Sequence, residues 1–288
     1  MKLATILAAG EPAVALIDTA AARAYPLSSP ATMNELIRSF ATLRKSIAAN
    51  GDGIPLSEVR LLAPIPRPAR NIFCIGKNYF DHAHEFTKSG FDSSAKTAAQ
   101  AIPKAPIVFT KVPECVVATG TDVRYPHGVS SQVDYEAELA VVIGKEGRAI
   151  APENALDYVF GYTIVNDVTA RDLQAKHAQW HLGKSLDTFC PMGPWLVTAD
   201  EVDGANLPIR AWVNDELRQD ANTSLLIFDI PTLIATISAG ITLYPGDIIA
   251  TGTPAGVGIG FDPPKFLQPG DRVTIEIDGI GRLSNAIA

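Results

Sequence analysis

Residues 133–143 read VDYEAELAVVI, an acidic start that runs into the apolar residues Leu139–Ile143. The apolar part has the length of a buried strand. Side chains on a strand alternate between its two faces, so Glu136 and Glu138 point the same way, and Asp134 joins them if the strand begins early. Like charges on one face repel, which favours a bound divalent metal. The alternative is a solvent-facing strand edge whose acidic residues serve solubility, because acidic residues are mostly exposed.

Short strands of the same kind recur on both sides of this stretch. They are predicted at Asn71–Ile75, Ile107–Thr110, Glu138–Ile143, Phe160–Val165, Leu207–Val213 and Asp247–Ala250. Hairpin turns are predicted around Gly10-Glu11-Pro12 and at Asn214-Asp215-Glu216. The predicted helices are few: Met33–Ala49, Thr169–His181 and Pro231–Ala239. Strands dominate and do not alternate regularly with helices, so the pattern predicts an α+β fold, mostly β, and disfavours a doubly wound sheet or a (β/α)₈ barrel.

A stiff, extended linker, Pro64-Ile65-Pro66-Arg67-Pro68, divides the chain. It predicts a small N-terminal domain at residues 1–68 and a larger domain at residues 69–288. Phe86–Ala101 is rich in Ser, Lys and Ala without clean periodicity, and a loop of that length in a compact domain is often a lid. We therefore expect a mobile lid from Phe80 to about Ala101.

The composition narrows the classes of function. The 288 residues are 47% hydrophobic, which argues against disorder. Their formal charge of −7 disfavours a nucleic-acid binder, because such a protein needs a basic face. No apolar run approaches the roughly 18 residues of a membrane span. The three cysteines do not form a disulfide framework. The N-terminal apolar run is interrupted at Gly10-Glu11-Pro12, which favours a hairpin over a signal peptide, so the cytoplasm is the expected location.

A third carboxylate follows another predicted strand. Asp167 comes after Phe160–Val165 and opens a helix, where it is either an N-cap or a carboxylate aimed into a cleft. Three carboxylates with waters form an all-oxygen shell that suits Mg²⁺, Mn²⁺ or Ca²⁺ and does not suit zinc. His177 and His181 have zinc-helix spacing, but the glutamate that such a motif needs is missing. We interpret both histidines as packing or surface residues.

Three further segments have a chemical and a structural interpretation. If residues 82–85 are helical, His82 and Glu85 touch at i, i+3 and suit a general base, or they form an ordinary surface pair. Lys184 is either a surface lysine or, near the metal, a group that stabilises developing negative charge. The glycine-rich residues 251–258 form a plain turn or a backbone cradle for a carboxylate. They match neither a P-loop nor a dinucleotide-binding fingerprint.

Taken together, these segments resemble the fumarylacetoacetate hydrolase family. The matching pieces are Asn78-Tyr79 with His82 and Glu85, Asp134–Glu138, Asn166–Asp172, Gly183-Lys184-Ser185 and Thr251-Gly252-Thr253-Pro254. Each motif is weak alone, but the ordered set is specific and covers about three-quarters of the chain, from near Asn71 to the C-terminus. The first 65 residues match only loosely.

The resemblance implies a fold, an assembly and a set of roles. The fold is a mixed β-roll core with a small N-terminal α/β unit, in a homodimer. The metal is Mg²⁺ or Mn²⁺, with Ca²⁺ as a substitute in a crystal, on Glu136, Glu138 and Asp167. His82 and Glu85 are the base dyad, and Lys184 stabilises charge. The residues implied to contact the substrate or metal-bound waters are Tyr79, Arg171, Gln174 and Thr253. His84 is extra to the motif and receives no role.

The family also implies a small-molecule 2-oxo acid as substrate. The leading expectation is hydrolysis of a C–C bond in a 2,4-diketo acid of the acylpyruvate or fumarylpyruvate type, as in aromatic catabolism. The alternatives are decarboxylation of oxaloacetate, and decarboxylation or isomerisation of another 2-oxo dicarboxylate. A non-enzymatic alternative is an inactive binding scaffold of the same fold, although none of the three metal carboxylates is lost. Fold and metal do not choose among these reactions.

Overall fold

A computed structural model gives the architecture of the chain and describes residues 1–8, 10–90, 100–177 and 179–288. Its strands follow in chain order: β1 (Lys2–Ala8), β2 (Glu11–Asp18), β3 (Arg23–Pro26), β4 (Ile54–Pro55), β5 (Arg60–Leu61), β6 (Ile72–Gly76), β7 (Ile107–Lys111), β8 (Val116–Val117), β9 (Val133–Asp134), β10 (Ala137–Ile143), β11 (Val159–Asn166), β12 (Thr169–Ala170), β13 (Cys190–Thr198), β14 (Pro208–Val213), β15 (Glu216–Asn222), β16 (Ile248–Ala250), β17 (Arg272–Ile277) and β18 (Gly281–Ala286). The fold is α+β and mostly β, as the sequence predicts.

A twelve-stranded sheet forms the centre, with the order β4-β3-β2-β1-β13-β11-β10-β16-β6-β7, while β5 pairs with β1 and β8 pairs with β13. Strand β10 lies in the middle and is buried along its whole length. Leu139 and Val141 pack into one hydrophobic cluster, and Ala140 and Val142 pack into another. Both faces of β10 are therefore covered, which explains why its sequence is a continuous apolar run instead of an alternating one.

A second, four-stranded antiparallel sheet has the order β15-β14-β17-β18. Its apolar side chains, among them Ile275 and Leu283, share a cluster with Leu139 and Val141 of β10. The predicted turn at Asn214-Asp215-Glu216 joins β14 to β15, and Asn214 has the positive φ that this tight turn requires. The short strands β9 and β12 pair with each other and place Asp134 opposite Thr169.

The N-terminal hairpin is present as predicted, with β1 and β2 paired from Lys2↔Ile17 to Ala8↔Glu11. Strand β1 also pairs with β13, where Leu3 lies opposite Leu196. The first strands therefore extend the central sheet. The division into residues 1–68 and 69–288 stays a prediction.

The α-helices of the described residues are α1 (Met33–Leu43), α2 (Phe80–Lys88), α3 (Arg171–Lys176), α4 (His181–Lys184) and α5 (Ile230–Ser238). Helix α1 begins at a capping box, in which Thr32 binds the backbone N–H of Glu35 and the Glu35 side chain binds the N–H of Thr32. It ends earlier than predicted and gives way to a 3₁₀ turn at Arg44–Ser46. Helix α5 matches its prediction within one residue. Within the ranges that the structure covers, no helix is both long enough and apolar enough to cross a bilayer.

The single helix predicted at Thr169–His181 is wrong. Thr169 and Ala170 pair with strand β9 instead, and helix α3 ends at Lys176 before a separate helix α4. The two helices pack closely at the break, because a Cβ on Gly183 of α4 would lie 2.7 Å from the backbone nitrogen of Gln174 in α3. The i, i+4 relation between His177 and His181 therefore does not exist. His177 is exposed, and Nδ1 of His181 lies 3.1 Å from the carbonyl oxygen of Thr110.

Candidate active site

Three buried carboxylates meet where β10 begins and β11 ends. Ala137 and Asn166 lie opposite each other in the β10–β11 pair, so the residues just outside that pair, Glu136 and Asp167, are also adjacent. The backbone N–H of Asp167 donates to the carbonyl of Glu136 at 2.9 Å. With Glu138, the two residues form a group whose ligand oxygens lie within 4.8 Å of one another. The structure thus brings together the three residues that the sequence nominates as metal ligands.

Three buried cations surround these carboxylates. The Nζ atom of Lys184 lies 2.8 Å from Oε2 of Glu136 and 2.8 Å from Oδ2 of Asp167. Arg171 donates from Nη1 to Oε1 of Glu136 at 2.7 Å. Lys111 donates to Oδ1 of Asp167 at 2.6 Å and to the backbone carbonyls of Val168 and Lys184. Lys184 is therefore in the position that the chemical interpretation of its motif requires, and it is not a surface residue.

Sequence reasoning missed Lys111, which is fully buried. The available signal was a lysine that directly follows the apolar strand residues Ile107–Thr110. Lysine is almost never fully buried unless it is paired. Burial would lower the pKa of Lys111, but its interactions with Asp167 and with the neighbouring cysteines together hold the pKa above its usual value. The residue is therefore a cation.

The charges affect the two glutamates in opposite directions. Burial would raise the pKa of Glu136, but Lys184 and Arg171 outweigh it and lower the pKa to about 2. Burial raises the pKa of Glu138 well above its usual value, and repulsion from Asp167 and Glu136 raises it further. Glu138 also accepts the backbone N–H of Gly252 at 3.0 Å. A buried, all-oxygen donor set with this excess repulsion fits a hard divalent cation such as Mg²⁺ or Mn²⁺.

The predicted dyad lies on helix α2, and its i, i+3 geometry is present. Nδ1 of His82 is 3.2 Å from Oε2 of Glu85. The carboxylate of Glu85 also accepts the backbone N–H of Gly256, with distances of 3.0 and 3.2 Å to its two oxygens. The glycine-rich turn therefore does cradle a carboxylate, and that carboxylate belongs to the protein. His84 is exposed.

A cavity of about 10 Å³ lies beside one member of the dyad, His82, and one of the three carboxylates, Glu136. It is lined by His82, Glu136, Arg171, Gln174, Lys184 and Thr253, among others. Its volume suffices for roughly one water molecule, so a larger ligand needs movement of the lining groups. Helix α2 is part of that lining, and the rest of the expected lid falls largely on residues 91–99, which lie outside the described residues.

The structure places the four predicted substrate contacts differently. Arg171, Gln174 and Thr253 line the cavity, and Thr253 also accepts a hydrogen bond from Gln219 at 2.8 Å. Tyr79 is not among the cavity-lining residues. Its hydroxyl is buried without a hydrogen-bond partner among the described residues, and burial followed by the charge of Glu138 raises its pKa.

Asp134 does not face the metal-ligand group. Strand β9 stops at this residue and β10 starts at Ala137, so the alternation that would place Asp134 beside Glu136 is broken. Its carboxylate instead binds Nε of Arg171 at 2.9 Å. The three cysteines are buried and free.

Comparison with known proteins gives concordant matches. The family model described as Fumarylacetoacetate (FAA) hydrolase C-terminal matches residues 71–288. An oxaloacetate tautomerase, YisK of Bacillus subtilis (strain 168), is 57% identical over 233 residues, which cover 81% of this chain and 74% of that protein.

Two solved structures match the fold over 100% of this chain and 99% of their own. A fumarylacetoacetate hydrolase from Exiguobacterium antarcticum aligns with a TM-score of 0.84 at 40% identity. A maleylpyruvate hydrolase from Sphingobium sp. SYK-6, in complex with manganese(II) and pyruvate, aligns with a TM-score of 0.79 at 34% identity.

Proposed function

Because this chain belongs to the fumarylacetoacetate hydrolase family, we propose that it is a metal-dependent enzyme that interconverts the keto and enol forms of oxaloacetate. The observation that carries the proposal is the arrangement of Arg171, Lys184 and His82 around one buried cavity beside three carboxylates. Two cations suit a small dianion, and an imidazole suits the movement of a proton. The 57% identical tautomerase supports the choice of this reaction over others of the family.

Glu136, Glu138 and Asp167 would hold the metal, Mg²⁺ or Mn²⁺. The manganese complex of the Sphingobium hydrolase supports a divalent ion in this fold. When bound, the ion would supply Lewis-acid stabilisation of negative charge on the substrate oxygens. Lys111 and Lys184 hold the two oxygens of Asp167 in place.

Tautomerisation of the keto form moves one proton from the carbon beside the carbonyl to the carbonyl oxygen, and no C–C bond breaks. Because Glu85 holds Nδ1 of His82, Nε2 is left to take the proton from carbon and return it to oxygen. The Lys184 ammonium stabilises the negative charge that develops on that oxygen. Arg171 presents Nη2, which has no partner among the described residues, to a carboxylate of the substrate.

A second candidate is hydrolysis of a C–C bond in a 2,4-diketo acid, which the His82–Glu85 dyad favours because the same base can deprotonate water. The Sphingobium maleylpyruvate hydrolase supports this reaction on the same fold. Oxaloacetate decarboxylation remains the alternative within the same substrate class. The inactive-scaffold alternative is weaker, since the three carboxylates, Lys184, Arg171 and His82 are all present and buried.

Absorbance of the enol form of oxaloacetate tests the proposal directly. Protein loaded with Mg²⁺ or Mn²⁺ should accelerate decay of the enol far beyond the uncatalysed rate, and protein treated with a chelator should not. Acetylpyruvate and fumarylpyruvate measured in parallel distinguish hydrolysis, because only hydrolysis releases two products. No acceleration with any metal, together with turnover of a diketo acid, would replace the first candidate by the second.

Three other expectations from the sequence stay predictions: the homodimer, the cytoplasmic location and a place in aromatic catabolism. The comparisons include relatives named as mitochondrial, such as the human oxaloacetate tautomerase FAHD2A. The location therefore does not follow from the family.

A further inference from the structure

Asp134 is a fully buried carboxylate that the proposed reaction does not use. It accepts four N–H groups: the backbone of Tyr135 at 2.8 Å, Gly258 at 2.6 Å and Ile259 at 3.1 Å, and Nε of Arg171 at 2.9 Å. Its side chain is 0% exposed. A charge this deeply buried is costly unless its hydrogen bonds are satisfied, and here both oxygens have donors.

Arg171 is the group through which Asp134 reaches the cavity. The guanidinium is planar, so a bond at Nε and the bonds from Nη1 to Glu136 and Gln174 fix its plane. With the plane of the guanidinium fixed, the direction in which Nη2 points is fixed as well. This atom is buried and has no partner among the described residues, while the residue lines the cavity.

Two of the other partners of Asp134, Gly258 and Ile259, belong to residues Gly256–Gly260, which we call the glycine segment. Helix α2 contacts this segment, because Gly256 donates its N–H to Glu85 and Ile259 packs in one cluster with Phe86. Gly260 lies so close to Glu85 that an added Cβ would fall 1.7 Å from its Oε1. The carboxylate of Asp134 therefore connects Arg171 to the segment that helix α2 contacts.

We propose that Asp134 is a positioning residue that anchors Arg171 to the glycine segment and aims Nη2 at a carboxylate of the bound ligand. The inference rests on the proposed function only for the ligand class, a small anion with carboxylate groups. Asp134 acts through Arg171 and not through the metal-ligand group. The Asp134→Asn variant keeps the shape of the side chain but weakens the charged anchor, so Arg171 should lose its fixed orientation.

Oxalate binding to the metal-loaded full chain, measured by calorimetry, tests this role without turnover. Charge-assisted hydrogen bonds are about twice as strong as neutral ones, so we expect Asp134→Asn to weaken oxalate binding by about tenfold or more. Arg171→Met should weaken it at least as much. In the double variant, Asp134→Asn should cause no further loss, because its effect passes through Arg171. Additive losses would show a purely structural role and overturn the proposal.

Tyr135→Phe is the matched control. The Tyr135 hydroxyl donates to the carbonyl of Gly256 at 2.7 Å, so the change also removes a bond to the glycine segment but leaves the Asp134–Arg171 pair intact. Oxalate affinity should stay near that of the wild type. An equal loss in Tyr135→Phe would assign the effect to the segment and contradict the proposal.

A second variant covers the case in which Asp134→Asn does not fold. Arg171→Lys keeps the positive charge but removes the Nε–H that Asp134 binds. Its oxalate affinity should fall to the level of Arg171→Met, and an affinity equal to wild type would overturn the inference. Since binding needs no catalysis, absence of tautomerase activity would refute the proposed function and leave the role of Asp134 decided by this experiment.

Discussion

Nζ of Lys111 lies 2.6 Å from Oδ1 of Asp167, and both side chains are completely buried. The two residues are 56 positions apart in the chain and come from strand β7 and from the end of strand β11. Lys184 binds the other oxygen of Asp167. The proposed metal ligand is therefore held between two buried lysines.

Replacing Lys111 should cost more stability than replacing a surface lysine. Removal of one partner from a buried ion pair is strongly destabilising, so Lys111→Met should lower the free energy of unfolding by about 3 kcal/mol. Urea denaturation measures this change. Lys45→Met is the control, because Lys45 is exposed and its loss should change stability by less than about 0.5 kcal/mol. Equal stabilities of the two variants would show that the pair adds nothing net.

Glu138→Gln should change metal affinity and stability in opposite directions. Loss of a group that only hydrogen-bonds to a metal ligand costs about 10–100-fold in metal affinity, so loss of a direct ligand should cost at least that much. Without metal, the variant should be more stable than wild type, because burial and two neighbouring carboxylates disfavour the charged form of Glu138. Calorimetry with Mn²⁺ and thermal unfolding in chelator check the two effects. Unchanged metal affinity would contradict the assignment of Glu138 as a ligand.

The stability gain of Glu138→Gln should depend on pH. The pKa of Glu138 is raised in the folded protein. Above the ordinary glutamate pKa the unfolded chain gives up this proton readily, whereas the folded chain must keep it or ionise at a cost. The wild type therefore loses folding stability in that pH range. That penalty grows above the ordinary glutamate pKa of about 4.3 and vanishes below it. The difference between the two proteins should therefore disappear as the pH falls toward that value. Exposed Glu146→Gln should show no such trend.

Helix α2 should become more ordered when a ligand fills the cavity. The cavity beneath it holds about 10 Å³, so oxalate can enter only if lining groups move. Hydrogen exchange of the metal-loaded protein should show the amides of residues 80–89 gaining protection with oxalate. Helix α5 (Ile230–Ser238), whose apolar face is packed in the core, is the internal control and should not change. Equal protection of α2 with and without oxalate would rule out the lid.

Strand alternation and strand ends indicated the three proposed metal ligands as candidates, and the family resemblance implied the assignment. Glu136 and Glu138 share a face because they are two residues apart, and Asp167 joins them because it follows the neighbouring strand. The same rule failed for Asp134, since the backbone leaves the strand between Asp134 and Ala137. A local break of this kind has no clear signal in a single sequence.

Long-range pairing explains the other differences. Lys111 meets Asp167 only after the sheet has formed, so no spacing in the sequence indicates the contact. Thr169 and Ala170 look helical by position, but pairing with β9 prevailed over that preference. His82 and Glu85 could be predicted, because their contact needs only one turn of helix. The His82–Glu85 contact was therefore predictable from spacing alone, whereas the Lys111–Asp167 contact and the pairing of Thr169 and Ala170 with β9 depend on how distant strands come together.

His82 and Glu85 should matter for proton transfer and not for metal binding. They lie on helix α2, and Glu85 binds the glycine segment and not the three carboxylates. His82→Ala should leave Mn²⁺ affinity near wild type and lower kcat for tautomerisation by about 10²–10⁴-fold, the usual contribution of a general base. Decarboxylation of oxaloacetate needs no base to break its C–C bond, so it should fall less. The measurement is the ratio of the two activities in His82→Ala and in Glu85→Gln.

Gly260→Ala tests the same dyad without changing either residue. Its Cβ would lie 1.7 Å from Oε1 of Glu85, so the carboxylate must shift from the position in which it binds His82. We expect tautomerisation to fall as in Glu85→Gln, with metal affinity unchanged, because the added Cβ would meet Glu85 and Glu85 is not one of the three proposed ligands. If tautomerisation and decarboxylation fall equally in all three variants, the dyad seats the lid helix instead of moving the proton. His82 would then lose its role as the base, and the hydrolytic alternative, which relies on the same base, would lose its support as well.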